Sequence, residues 1–216
     1  PYMLNFLENH DEQRFASDFF GRDARKTFAP LYVSLFLNTA PFMIYFGEEV
    51  GEKGMDEEGF SGRDGRTTIF DWWSVASIRR LRKLIASGKY RSSSVSELVE
   101  NGLMKEEAEL FLRFTEAIRF AAEDCSIRQG TTYDLCYCNM SSDGFDKNRH
   151  FVFLRDYEEH TLLIAANFSN REAVMKLVIP EHAFEWMGIP KTEALHPGKV
   201  IEVKVQPMDG AIVTLI

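Results

Sequence analysis

The stretch FLENHDEQR, at positions 6–14, is the most informative part of the 216-residue sequence. An apolar segment, Tyr2 to Leu7, ends abruptly in Asn-His-Asp, so polar side chains cluster where a buried strand would leave the core. In α/β barrels the catalytic groups lie at the ends of the strands. The same tripeptide is also common in ordinary turns, because Asn and Asp side chains hydrogen-bond to nearby backbone. The motif alone leaves a catalytic loop and a structural turn both open.

The first half of the chain alternates between strand and helix patterns. Apolar residues at helical spacing predict a helix over 23–38, and Pro30 inside it predicts a late start or a kink. The unbroken apolar run at 42–46 is typical of a strand buried on both faces, as in a parallel sheet. Together with the segment before Asn-His-Asp, these form a strand–helix–strand unit. A long Gly-rich loop over 48–70 and a helix over 73–86 follow.

The second half changes character after a predicted helix over 105–124. From Gly130 onward the hydrophobic pattern has a period of two with frequent turn residues, which is typical of an antiparallel β-sandwich. The predicted strands cover 131–138, 151–156, 161–167, 173–179, 191–195, 200–205 and 211–215. We therefore predict two domains, 1–127 and 128–216.

Three further segments follow the Asn-His-Asp motif in order along the chain. They are PFMIYFGEEVG at 41–51, GRDGRTTIFDWW at 62–73, and 151–169 with its Leu-Arg and Ala-Asn-Phe-Ser elements. With the first motif and the Arg that follows it, these segments resemble the α-amylase family, glycoside hydrolase family 13. The resemblance implies the last two strand–helix units of a (β/α)8 TIM barrel, followed by an antiparallel β-sandwich domain.

The resemblance also implies roles for two residues of the first motif. Retaining glycosidases use two carboxyl groups as nucleophile and acid, and the transition state resembles an oxocarbenium ion. Asp11 resembles the third essential carboxylate, which orients sugar hydroxyls and stabilises that transition state. His10 resembles the histidine that donates hydrogen bonds to glucose hydroxyls. The structural alternatives are an Asp that caps the next turn and a His satisfied within the loop.

Two loop residues further along are candidates for substrate contact. Arg66 resembles the arginine near the substrate cleft, and Asp56 is a candidate to line the same cleft; the alternative for both is an ordinary solvated loop charge. Glu48 and Glu49 are not expected to act as a paired acid and base, because neighbouring residues of a strand point to opposite faces.

Two more residues of the first motif are expected to support Asp11 rather than to bind the sugar. Arg14 could pair with either Asp11 or Glu8 and hold the loop in place. Asn9 is interpreted as a turn-former. Both are assigned to the surroundings of the catalytic carboxylate.

The composition and motifs of the sequence argue against several classes of partner and cofactor. The formal net charge is −8, which argues against a nucleic-acid backbone, and no apolar run approaches the roughly 20 residues of a membrane span. No phosphate loop, zinc motif or calcium-loop spacing is present, so no metal or cofactor is expected in this chain. The resemblance implies that calcium, where relatives bind it, is held by an inserted domain upstream.

The expected function is that of the C-terminal portion of a retaining α-amylase-like hydrolase acting on α-glucans or maltooligosaccharides. The nucleophile and the general acid would lie upstream, so the chain by itself is expected to be inactive. Two barrel strands without their neighbours expose unpaired edges, which predicts self-association. The alternative function is a non-catalytic carbohydrate-binding or interaction module.

Overall fold

The computed structural model describes residues 3–54, 64–67 and 75–216. The predictions for Asp56 and for most of the segment at 62–73 lie outside the described residues. The chain forms two compact units: one contains 1–5, 27–42 and 120–216, and the other contains 6–26 and 43–119. We call them the sheet unit and the loop unit. The division into domains 1–127 and 128–216 stays a prediction.

Helices and short strands occupy the first part of the chain, and longer strands occupy the second part. In chain order the elements are β1 (Asn5–Phe6), α1 (Phe28–Phe36), β2 (Phe42–Met43), α2 (Ala76–Ala86), α3 (Val95–Glu100), α4 (Lys105–Glu123), α5 (Cys125–Gln129), β3 (Thr131–Asp134), β4 (His150–Tyr157), β5 (His160–Asn167), β6 (Ala173–Val178), α6 (Glu181–Met187), β7 (Val200–Val205) and β8 (Asp209–Thr214). The described residues also form 3-10 helices at Ala24–Thr27, Glu48–Val50 and Lys89–Arg91.

Helix α1 begins late, as Pro30 predicts. A 3-10 helix precedes it, and Pro30 is the third residue of the α-helix, where a missing N–H costs no intrahelical hydrogen bond. The strand predicted over 42–46 is shorter than expected, since β2 contains only Phe42 and Met43. The chain then turns at Gly47, whose φ of 88° suits a residue without a side chain.

The sheet unit contains two antiparallel sheets that share one core. One sheet has the order β3-β4-β5-β8, and the other pairs β6 with β7. Leu154 and Leu163 of the larger sheet lie in the same buried cluster as Met175, Leu177 and Val203 of the smaller one. The fold class is therefore mixed helix and sheet with antiparallel sheets.

Strand β5 of the larger sheet is covered on both faces. Nearly every residue of β5 is buried, whereas β6 alternates between buried and exposed residues. Helix α1 packs on β5 and β8, and its Tyr32 ring lies so close to Gly210 that a Cβ there would be 2.2 Å from the ring. One face of β5 therefore meets α1, while the other contributes to the shared core.

The prediction for the segment between β6 and β7 is wrong. No strand forms at 191–195; the segment bends, and the backbone N–H of Thr192 donates to the carbonyl of Leu195. Helix α6 precedes it and was not predicted. Pro180 provides its N-cap, and Gly188, with a φ of 73°, provides its C-cap.

The helices of the loop unit match their predicted positions closely. Helix α2 begins at Ala76, and α4 covers Lys105 to Glu123. Arg80 of α2 pairs with Glu107 of α4, and Leu84, Leu98 and Ala108 form a small buried cluster. None of the helices in the described parts of the chain combines the length and apolar character that a membrane span requires.

Candidate active site

The loop that carries His10 and Asp11 is shaped by Asn9. The Asn9 side-chain oxygen accepts hydrogen bonds from the backbone N–H groups of Asp11, at 2.8 Å, and of Glu12, at 2.9 Å. Asn9 is thus a turn-former, as interpreted from the sequence. His10 Nε2 lies 3.5 Å from Asp11 Oδ2, and the two side chains are 55% and 73% exposed. The turn therefore presents an imidazole and a carboxylate side by side to solvent.

The contacts of Asp11 differ from those of a residue that caps a turn. Among the described residues, the Asp11 carboxylate accepts no backbone hydrogen bond, and its side chain contacts His10. Asn9 already performs the capping. The Asp11 oxygens are consequently available to a ligand.

A buried ion pair closes the loop at its base. Arg14 and Glu8 are both buried, and Arg14 Nη1 donates to Glu8 Oε2 at 2.7 Å. The other Glu8 oxygen accepts the backbone N–H of Phe15 at 2.6 Å. The question that the sequence left open is therefore answered: Arg14 pairs with Glu8 and not with Asp11. Residues 9–13 are held between these two partners.

Arg14 also connects this loop with two other segments of the same unit. Its Nη2 donates to the carbonyl of Phe46 at 2.8 Å, and its Nε donates to Thr67 Oγ1 at 3.1 Å. The guanidinium carbon lies 4.4 Å from the centre of the Tyr45 ring, and the Arg14 backbone N–H donates to the carbonyl of Gly65 at 2.8 Å. Three strand-end or loop segments therefore meet at one side chain.

The segment 64–67 carries the predicted ligand Arg66. Its neighbours Gly65 and Thr67 both bond to Arg14, so the structure brings the Arg66 backbone to the base of the His10–Asp11 loop. The Arg66 side chain pairs with Asp64, with Nη2 to Oδ2 at 2.6 Å. Hydrogen bonding to Arg66 lowers the pKa of Asp64. The sequence did not predict Asp64 as the partner of Arg66.

Buried carboxylates lie beside Arg14, and the sequence did not predict this. Glu48 and Glu49 belong to a 3-10 helix, not to a strand, so the geometric reason given for excluding them as a catalytic pair does not apply. Glu48 Oε2 accepts the backbone N–H of Tyr45 at 3.2 Å, while its Oε1 is buried without a partner within the described structure. Burial, with a smaller effect of the Glu8 charge, raises the pKa of Glu48 to about 8.

Burial also raises the pKa of Glu8 and of Glu49, and the positive charge of Arg14 opposes both shifts. A neutral, protonated Glu48 fits its partnerless oxygen, because a carboxylic acid is much less costly to bury than a carboxylate. Arg14 is thus the positive charge around which several buried acids are arranged. The signal for this cluster in the sequence is the pair of adjacent Glu residues directly after an apolar run.

The protonation of Glu48 predicts how stability changes with pH. Between the ordinary pKa of 4.5 and about 8, folded Glu48 keeps a proton that the unfolded chain has released. The contribution of Glu48 to the free energy of unfolding is therefore fully present below pH 4.5 and is lost as the pH rises towards 8. In urea titrations across this range, the wild type is expected to lose stability through Glu48, on the order of 1 kcal/mol per pH unit. Glu48→Gln has no proton to lose there, so its stability is expected to fall less with pH.

Glu12→Gln is the matched control, because Glu12 is an exposed acid in the His10–Asp11 loop. It is expected to leave the pH dependence of the wild type unchanged. Equal slopes for the wild type and Glu48→Gln would contradict a protonated Glu48.

The rest of the described structure contains a cavity but no cluster of metal-ligating side chains. Within residues 3–54, 64–67 and 75–216, no group of three or more His, Cys, Asp or Glu side chains is placed to hold a metal ion. A cavity of about 710 Å³ lies in the sheet unit, lined by residues that include His150 and Arg171. None of the predicted site residues lines it.

Comparisons with known proteins place the chain by its fold. No model of a protein family matches the sequence, and no curated protein does either. Among solved structures, the debranching enzyme of Nostoc punctiforme is 18% identical, with a TM-score of 0.53; the match covers 99% of this chain and 34% of that one. An α-amylase from H. orenii is 17% identical, with a TM-score of 0.55, covering 99% of this chain and 40% of that one.

A γ-CGTase from alkalophilic Bacillus clarkii is 16% identical, with a TM-score of 0.50; the match covers 98% of this chain and 26% of that one. The chain thus spans between a quarter and two fifths of these enzymes. Nearly all of it is matched, so its fold is that of one part of α-amylase-type enzymes. The resemblance to that family read from the sequence is confirmed at the level of the fold.

Proposed function

We propose that the chain is the C-terminal portion of a retaining α-amylase-like glycoside hydrolase that acts on α-glucosidic bonds of starch-type glucans. The observation that carries this proposal is the His10–Asp11 pair, exposed on a turn that the buried Glu8–Arg14 pair holds at its base. The fold shared with solved amylase and debranching enzymes supports it.

The proposed architecture is more detailed than the fold shared with the solved enzymes. Strands β1 and β2 would be the last two strands of a (β/α)8 barrel, and the antiparallel sheets after residue 127 would form a β-sandwich domain. Pairing supports the first part: the backbone N–H of Asn5 donates to the carbonyl of Pro41, next to β2. The common core of the two antiparallel sheets supports the second part.

In the proposed mechanism Asp11 acts on the sugar whose bond is cleaved. As positive charge develops on that ring, the Asp11 carboxylate accepts hydrogen bonds from its hydroxyls, which strengthen in the transition state. His10 donates a hydrogen bond to a neighbouring hydroxyl, and Arg66 is the proposed further contact of the substrate; the expectation for Asp56 lies outside the described residues. Glu8 and Arg14 keep the turn in place, so that Asp11 is positioned before the substrate arrives.

The nucleophile and the general acid would come from a longer protein. We propose that these 216 residues alone do not hydrolyse glucans, and that the exposed edges of the two barrel strands favour self-association. No cofactor is proposed for this chain, and calcium would belong to the longer parent.

The full-length parent is expected to release reducing sugar from soluble starch, and the product formed first is expected to have the α configuration. A retaining mechanism proceeds by two displacements, so the anomeric configuration is kept. Proton NMR of the fresh products measures the anomer. The 216-residue chain at the same molar concentration is the comparison and is expected to release none. A β-configured first product, or hydrolysis by the chain alone, would contradict the proposal.

A further inference from the structure

Four aromatic side chains form a patch on the surface of the sheet unit. The patch consists of Tyr133, Tyr137, His182 and Trp186. Tyr133 is buried, whereas Tyr137 is 51% exposed and Trp186 is 56% exposed. His182 is exposed as well. Three ring systems are therefore presented to solvent around one buried phenol, which is unusual for side chains that bury large apolar areas elsewhere in the fold.

Hydrogen bonds and packing fix the patch in place. The Tyr133 hydroxyl lies 2.5 Å from the Tyr137 hydroxyl and 3.1 Å from His182 Nδ1. The Tyr133 ring centre lies 5.9 Å from that of Trp186 and 5.9 Å from that of His182. His182 and Trp186 are four residues apart and so share one face of α6. That helix is held to the core by the buried Ala183 and Phe184.

The patch also offers polar atoms that the protein does not use. In the described structure, neither the indole N–H of Trp186 nor Nε2 of His182 forms a hydrogen bond. The patch contains no Lys or Arg, and the nearby Glu181 is paired with Lys191. A phosphate or nucleic acid would find no cation among these side chains. A neutral ligand with an apolar face and several hydroxyls suits both the rings and the unused polar atoms.

We propose that this aromatic patch is a second saccharide-binding site, separate from Asp11, and that its ligand is an α-glucan. A sugar ring would stack on the exposed face of Trp186, while its hydroxyls bond to the indole N–H, to His182 Nε2 and to Tyr137 Oη. A second copy of the chain is the less suitable occupant, since it would have to supply partners for the same polar atoms. The choice of an α-glucan over other glycans rests on the proposed function; the existence of the site does not.

Calorimetric titration of the 216-residue chain with maltoheptaose tests the site. Trp186→Ala is expected to weaken binding at least about tenfold, since exposed Trp side chains at the centre of a contact contribute most of its affinity. Tyr137→Ala is expected to weaken it in the same direction. Phe168→Ala is the matched control, because Phe168 is an exposed aromatic of the same unit, at 39%, outside the patch. It is expected to bind as the wild type does.

Asp11→Asn and cellohexaose separate this proposal from the proposed function. Maltoheptaose binding that is lost in Trp186→Ala and kept in Asp11→Asn supports the second site, even if the parent fails to cleave starch. Equal binding by the wild type and a folded Trp186→Ala, or no binding by the wild type, overturns the site. Equal Trp186-dependent binding of cellohexaose overturns the assignment to α-glucans. Sedimentation that shows a Trp186-dependent dimer and no sugar binding overturns the proposal in favour of a second copy.

Discussion

Asp11→Asn in the full-length parent is expected to slow the hydrolysis of soluble starch by about a hundredfold or more, the scale of removing one transition-state contact. Asn has the size of Asp but carries no negative charge, so it cannot balance the positive charge that develops on the sugar ring. The change is not expected to unfold the loop, because Asn9 and not Asp11 holds the turn. Initial rates of reducing-sugar release measure the effect.

The kinetic pattern distinguishes a catalytic Asp11 from one that only binds. Loss of a contact made in the transition state lowers kcat together with kcat/KM, whereas loss of uniform binding raises KM alone. Asp18→Asn is the matched control, since Asp18 is exposed and lies in the loop unit a few residues further on. It is expected to keep the wild-type rate. Near-equal rates for Asp11→Asn and the wild type would mean that Asn-His-Asp is only a structural turn. That result would favour the binding-module alternative.

The local geometry of the candidate site could be predicted, but its tertiary connections could not. The turn at Asn9 follows from residues within three positions of it, so the sequence was sufficient. The partner of Arg14 was not decided by the sequence, because Glu8 and Asp11 both lie close to it along the chain. The carbonyl of Phe46 and the hydroxyl of Thr67 hold the guanidinium inside the unit, and neither contact is visible in a local pattern.

The same distinction explains the errors in the fold. Strands β4, β7 and β8 were located within about two residues, because period-two patterns at frequent turns are a local signal. Helix α6 was missed because it has seven residues, too few to show a helical period. The apolar run at 42–46 predicted a longer strand than Phe42–Met43, because an apolar pattern reports burial and not strand pairing: Tyr45 is buried outside the strand, and its hydroxyl donates to the carbonyl of Thr67.

Arg14→Met is expected to lower the free energy of unfolding by about 3–5 kcal/mol, the usual cost of breaking a buried ion pair by removing one partner. Glu8 would stay buried with the Phe15 N–H as its remaining hydrogen-bond donor, and the Phe46 carbonyl would lose the hydrogen bond from Arg14. Folded domains are stable by only about 5–15 kcal/mol, so this is a large share of the total. Urea unfolding followed by circular dichroism measures the loss.

Arg25→Met is the matched control for that experiment. Arg25 also pairs with a carboxylate, that of Asp23, but its side chain is 77% exposed. Exposed pairs contribute about 0–1 kcal/mol, so the midpoint is expected to shift little. The double variant Glu8→Gln/Arg14→Met should recover a substantial part of the stability lost in Arg14→Met, because it leaves no buried carboxylate without its cation. A loss below about 1 kcal/mol in Arg14→Met, or no recovery in the double variant, would mean that the pair does not hold the base of the His10–Asp11 loop.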